Sequence, residues 1–329
     1  MRTRSAANAG FSLIEMMIVV VIMGVITAQL FVVFANQKRV FMSNERALDV
    51  QESSRLTLDL VSFDTRMAGF MVPRWTAVSS IDGGAAKADR LCVSSSSFVP
   101  IGGSPQLDAK IQRFSGAVVT NVFNDHVDVQ AGSTDIDGDG DIDFQQGAGV
   151  IIASPTRTYC AVVESATATQ IFFAVEDATA RLGAANPDMR AVPANVYELD
   201  EDPTKLELRR NGLLLASQVE DFQVEYWLDN AALPNGVEDG DTEFPVNDLA
   251  APDPPGGGIP ADNAQVRRVR VSVIARTLRD EGPNSAAGRL TYARPALANR
   301  AADAVEDTFR RRSFSASILP RNLVAVGDE

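Results

Sequence analysis

Histidine and cysteine are almost missing from this sequence. One histidine, His126, and two cysteines, Cys92 and Cys160, stand among 329 residues. So few ligands cannot build a zinc site of four Cys and His side chains. Any Ser–His–Asp or Cys–His arrangement would have to use His126. Its surroundings, Asn124-Asp125-His126-Val127-Asp128, contain no nucleophile elbow, so a surface or turn histidine is expected. No phosphate-binding glycine loop, dinucleotide fingerprint or HExxH pair occurs either, and an enzyme is not expected. Positive charge is also scarce. Thirty Lys and Arg face 43 Asp and Glu, a net charge of −13, which repels a phosphate backbone, so no nucleic-acid partner is expected.

What the sequence has is one long apolar run near its start. Residues 11–34, FSLIEMMIVVVIMGVITAQLFVVF, carry a single charge, Glu15. At helical rise they span about 36 Å, more than a hydrocarbon core requires. Arg2 and Arg4 precede the run, which predicts a cytoplasmic N-terminus and a body outside. A secretory signal would also begin with basic residues and an apolar stretch. This run is longer than the usual h-region, and Val25-Ile26-Thr27-Ala28 makes a poor cleavage site.

Glu15 is the residue that neither a plain anchor nor a plain signal needs. A carboxylate inside a membrane is costly and usually has a partner. Cleavage between Gly10 and Phe11 would create an α-amino group at Phe11, and Glu15 would become the fifth residue of the mature chain. An acid in the first turn also complements the helix dipole. In a filament, Glu15 of one subunit could neutralise Phe11 of a neighbour, where an unpaired charge costs several kcal/mol.

Ala9-Gly10-Phe11-Ser12-Leu13-Ile14-Glu15 resembles the class III signal of type IV prepilins and of type II secretion pseudopilins. The resemblance implies a prepilin peptidase that cuts after Gly10 and methylates Phe11, with Glu15 serving assembly. It implies other pilins as partners through the N-terminal helix: fellow minor pilins and the major pilin. It also implies an inner-membrane location before assembly and a pilus or cell-surface location after it.

Four divisions are expected: a leader (1–10), a membrane and filament-core helix (11–34), an amphipathic continuation (35–72) and a β-rich body (73–329). Within the continuation, Leu56, Leu60, Phe63, Met67 and Phe70 recur at helical spacing, which predicts that this face lies on the body. Gly69 and Pro73 supply the stop. Beyond Pro73, short β-rich runs alternate with turn residues. Candidate strands are 117–123, 149–153, 159–164, 170–175, 205–209, 212–216, 222–228, 266–274 and 313–318. The alternation Phe222-Gln223-Val224-Glu225-Tyr226 and Val269-Arg270-Val271-Ser272-Val273 predicts an antiparallel sheet with one wet face. The fold class is therefore α+β, one long helix on a mainly antiparallel sheet. Residues 229–264, rich in proline and glycine, read as a long excursion.

Four further segments resemble the minor pilins of the PilW type. They are Asp64-Thr65-Arg66-Met67-Ala68-Gly69-Phe70, Val219 to Tyr226, Val269 to Arg276, and Arg310 through Pro320-Arg321-Asn322-Leu323. That resemblance implies a part in initiating pilus assembly, in a priming or tip complex. The J-type pseudopilin of a type II secretion system and a calcium-stabilised tip adhesin are the alternatives. Met71-Val72-Pro73 departs from the pattern, so the family's disulfide arrangement does not transfer.

Two candidate sites lie in the body. Asp135-Ile136-Asp137-Gly138-Asp139-Gly140-Asp141-Ile142-Asp143 has the acid spacing of an EF-hand loop, with Gly140 at the sixth position. Asp135, Asp137, Asp139, Asp141 and Asp143 would supply oxygen ligands to Ca2+, Asp141 through its carbonyl. Gln146 takes the last position in place of a bidentate Glu, which predicts weak affinity. A solvated acidic turn is the plain alternative. Asp and Glu also crowd residues 238–243, without that spacing. Outside the cytoplasm Cys92 and Cys160 are expected to pair. Arg310, Arg311 and Arg312 are expected to be solvated or to pair with acids of the body.

Overall fold

The computed structural model describes residues 12–83, 87–96, 115–138, 140–154, 157–174, 178–200, 202, 205–228, 266–277, 292–298, 300–303, 306–307 and 309–323. Gly10, Phe11, Asp139, the stretch 229–264 and the acids of 238–243 lie outside them. Two compact units divide the chain, one ending at Asp49 and one starting at Val50.

The first unit is the N-terminal part of helix α1 (Leu13–Met67). Its large apolar side chains are exposed within the chain, Phe31 at 77%. Among the described residues α1 is the one helix long and apolar enough to cross a membrane. Thr27, inside the run, donates its hydroxyl to the Met23 carbonyl at 2.7 Å, so it carries no unsatisfied donor into an apolar setting.

In the second unit the last turns of α1 lie on the body, but with a face other than the predicted one. Leu56 and Phe63 are 63% and 58% exposed. The buried residues are Val50, Ser54, Thr57, Leu58, Val61, Ser62, Asp64, Thr65 and Ala68. Small side chains let the helix approach closely. The hydroxyls of Ser54, Thr57 and Thr65 donate to carbonyls four residues back at 2.7–2.8 Å, so burying them leaves no orphan donor. Hydrophobic periodicity selected the wrong side because the right side is built from small and hydroxylated residues.

α1 stops where Gly69 turns left-handed, with φ +79°. Its last carbonyls are capped from the other end of the chain. The Asn322 side-chain amide donates to the carbonyls of Met67 and Ala68, each at 3.3 Å. A Cβ on Gly69 would meet Leu323 at 3.2 Å, so glycine serves both the turn and the close approach. Two of the segments that carry the PilW resemblance therefore meet in space.

After a one-turn 3-10 helix (Arg74–Thr76), the strands follow in order: β1 (Val78–Ile81), β2 (Arg90–Val93), β3 (Ala117–Val122), β4 (His126–Val129), β5 (Gly149–Ser154), β6 (Arg157–Ala166) and β7 (Gln170–Phe173). The short helix α2 (Ala178–Leu182) precedes β8 (Arg190–Leu199), β9 (Glu207–Arg210), β10 (Leu213–Ser217), β11 (Val219–Leu228), β12 (Val266–Arg276) and β13 (Arg311–Ile318). All the pairings are antiparallel.

The pairing order β8-β3-β4-β7-β6-β5 returns to β8. Ala191 of β8 faces Ala117 of β3 on one edge and Ile152 of β5 on the other. Six strands thus close on themselves, which leaves no free edge over that stretch. Val119, Val127, Val150, Ile152, Tyr159, Ile171 and Phe173 fill the interior. Farther along β8, the hairpins β1–β2 and β9–β10 attach to its two edges at Tyr197, opposite Leu91 and Arg210.

β8 is the hub of this arrangement, and no candidate strand covers it. Pro193 argues against a central strand, because it has no amide to give. The structure places it where β3 pairing has ended at Ala191 and β2 pairing begins at Asn195.

β11, β12 and β13 form a second sheet. Phe222, Val224, Tyr226, Val269, Val271 and Val273 pack with Leu58 and Val61 of α1 and with Leu91, Val93 and Tyr197. The opposite face is buried on β11, at Asp221, Gln223 and Glu225, and wet, as expected, on β13, where Ser313, Ser315 and Ser317 are exposed. Arg294 and Arg300 cover Asp221, each at 3.0 Å, and Arg270 meets Glu225 at 2.6 Å. On β11 the charges of that face are buried against arginines that compensate them.

Candidate functional site

The processing segment enters the described residues at Ser12. Ser12 precedes the first turn of α1, and its carbonyl accepts from the amides of Glu15 and Met16 at 3.1 and 3.2 Å. The Glu15 carboxylate reaches back to the Ser12 amide at 3.5 Å. This contact is one half of a Ser-x-x-Glu capping box, a role for Glu15 that its charge alone does not suggest. It holds the carboxylate at the helix start, one turn from where a new N-terminus at Phe11 would lie.

The acidic loop joins β4 to β5. It brings together Asp135, Asp137 and Asp143, whose ligating oxygens all lie within 4.8 Å of one another. Asp141 and Gln146 are exposed, whereas Asp143 is 1% exposed. Asp135 closes the turn, accepting from the Gly138 amide at 2.7 Å and the Gly140 amide at 3.0 Å. Both glycines have positive φ, +79° and +102°, which few other residues tolerate. Asp143 Oδ2 accepts from the amides of Ile136 and Asp137. Its Oδ1 is buried without a hydrogen-bond partner. Burial, followed by the nearby charges of Asp137 and Asp141, pushes its pKa up to about 7 against the pull of those amides.

Cys92 of β2 and Cys160 of β6 form a disulfide with Cα atoms 5.6 Å apart, on the outer side of the closed strands with Ile151, Ala153, Ala194 and Val196. His126 is stacked between Phe123 and Phe172, with centroids 4.4 and 5.1 Å away. It meets Asp125 and Asp128, an aromatic packing role at the sheet surface. Arg311 is nearly buried and bridges Glu220 and Asp307, each at 2.6 Å. Of the two expectations for the arginine cluster, pairing with the body's acids describes Arg311.

Asp64 is the functional-looking group that sequence reasoning quoted without giving it a role. It is buried, and its Oδ2 accepts from Asn195 at 2.9 Å, Tyr197 at 2.6 Å and Arg210 at 2.8 and 3.1 Å. Asn195 passes the network to Asn211, whose own Oδ1 accepts the Val196 amide at 2.8 Å. The helix is thereby pinned to β8 and β9. The available signal was its place: Asp64 falls three residues after Val61 and four before Ala68, among the small residues of the buried face. Asp89 is a second buried acid. Burial drives its pKa up to about 8 although the amides of Val224 and Gly83 donate to it.

Set against known proteins, residues 5–28 match the model of the prokaryotic N-terminal methylation motif. The N-terminus of this chain thus carries the prokaryotic N-terminal methylation motif. No curated protein matches the chain in sequence. Among solved structures it is similar to the type IV-like pilin TTHA1219 from Thermus thermophilus, at 13% identity over 83% of this chain and 97% of that one, with a TM-score of 0.34. A likeness of that size transfers no residues and no roles.

Proposed function

We propose that this chain is a minor pilin, a membrane-held structural subunit that is cut between Gly10 and Phe11, methylated on Phe11 and packed through residues 11–34 into a pilus. The methylation motif supports the processing step. The observation that carries the assembly step is a helix whose large apolar side chains are exposed among the described residues. Phe34, Phe41, Leu48, Leu56 and Phe63 follow one another at intervals of 7, 7, 8 and 7, and every one is exposed. Those intervals are the period of a helix-packing seam. Exposed apolar surface of that kind marks a membrane or a protein contact, and helices of neighbouring pilins supply both length and chemistry.

Other minor pilins and the major pilin are the partners on this reading, and a prepilin peptidase is the processing enzyme. The chain waits in the inner membrane with its body outside, then moves into the pilus. The large body is hard to repeat along a thin filament, which favours a low-copy place in a priming or tip complex. Glu15, capped on Ser12 in the lone chain, turns to the Phe11 amine of a neighbour and sets the axial register.

The test is Glu15→Ala, followed by shearing of pili and quantification of the subunit. Membrane retention and the melting of the body stay as in wild type, while incorporation falls at least tenfold, the effect of losing a low-dielectric ion pair. Wild-type incorporation would remove the pairing role.

A further inference from the structure

We propose that the loop between β4 and β5 is a binding site for a hard divalent cation, calcium by its ligand chemistry, held by Asp135, Asp137 and Asp143. We infer further that the ion fastens Ile136 between the closed strands and the segment that leaves α1.

The first observation is convergence. Oxygens around calcium lie at 2.3–2.6 Å from it, so any two are at most about 5 Å apart. The three carboxylates of the loop fall inside that limit, within 4.8 Å of one another. Magnesium, with bonds of about 2.1 Å, needs a cage nearer 4.2 Å across. The second observation is independent of the clustering. Asp143 is 1% exposed, and its Oδ1 is buried without a hydrogen-bond partner. A buried charged oxygen left bare is destabilising, and a cation bound beside Asp135 and Asp137 removes that cost. Residues 130–148 contain no Lys or Arg to do the same. Of the expected ligands, Asp135, Asp137 and Asp143 lie in the cluster, with Asp143 buried, whereas Asp141 and Gln146 are exposed and outside it.

The neighbours of the acids explain what the ion does. Ile136 lies between Asp135 and Asp137 and packs both on the interior of the closed strands and on Val72 with Val192. Val72 follows the end of α1 by five residues. Phe144, next to Asp143, is buried in the strand interior. An ion that draws Asp135, Asp137 and Asp143 together therefore fixes Ile136 and Phe144, and with them the seat of the chain as it leaves the helix.

The test uses the full chain in detergent, stripped with a chelator and then titrated with calcium chloride, followed by calorimetry and thermal unfolding. Calcium binds with a dissociation constant of about 10⁻⁴–10⁻³ M, the range expected without an acid at the last position. At about 10 mM it raises the melting temperature by roughly 3–8 °C. Asp135→Asn and Asp143→Asn each weaken binding at least tenfold and lose most of that rise. Should Asp143→Asn fail to fold, the half-buried Asp135 carries the test. A wild type that melts at the same temperature with chelator and with calcium overturns the site. So does an Asp135→Asn protein with the wild-type response, and so does an equal rise with magnesium, which would mean charge screening.

Discussion

Up to Asp49 the helix leaves nearly every large apolar side chain exposed, whereas from Val50 onward even carboxylates and guanidinium groups are buried. The two stretches share one helix and similar residue types, yet their surfaces are opposite. In the body Asp64, Asp89, Asp221 and Glu225 each have an arginine, an amide or a hydroxyl against them. Among the described residues the apolar groups of the N-terminal stretch have no such answer. The difference teaches where the folding information of this chain stops. The body is held by its own contacts, while the N-terminal helix is long and apolar enough to cross a membrane.

Perturbations should therefore sort by region. The largest effect is expected from Cys92→Ser with Cys160→Ser. Opening a link between residues 68 apart costs about 4 kcal/mol of unfolding free energy by loop entropy, measured by denaturant unfolding in detergent, with membrane retention unchanged. A loss near zero would mean the strands alone fix the outer side of the ring. Asp64→Ala comes next, at about 3 kcal/mol, because it leaves the part-buried Arg210 guanidinium without its carboxylate. A cost below 1 kcal/mol would break the claim that this network pins the helix end.

The third effect is one of pH. Asp89 has a native pKa of about 8, above its ordinary 3.8, so the folded state holds the proton more tightly than the unfolded one. Its stabilisation is complete below about pH 4 and is lost as pH rises through about 8. The stability of wild type minus that of Asp89→Asn should fall across this window, and a constant difference would discount burial as the cause. The smallest effect is expected from Phe63→Ala. A core phenylalanine would cost 3–5 kcal/mol, but this exposed one should cost about 0.5 kcal/mol or less while lowering incorporation into pili. A core-sized cost would contradict the assignment of the outward face.

The sequence made the N-terminus legible because its signal is local: a motif, an apolar run and one acid in the wrong solvent. The antiparallel character of the body was legible for the same reason, from the alternation around Phe222 and Val269. What was hidden was non-local. Pro193 hid β8, since its missing amide is tolerated only through the way two neighbouring strands share one edge. The buried face of α1 was hidden because Ser54, Thr57 and Thr65 hydrogen-bond back to their own helix and so read as polar. Closure of six strands has no signature in any one of them. In the acidic loop the spacing named Asp143 among the acids but not its burial, which goes with Phe144 entering the strand interior.

The central claim is that this helix is made by cleavage for assembly with its like. The most direct measurement is the intact mass of the protein extracted from its membrane or from pili. The account requires a chain that begins at Phe11, lacks residues 1–10 and carries one added methyl group. A chain that keeps Met1 to Gly10, or one cut beyond the apolar run and free of the membrane, would contradict it.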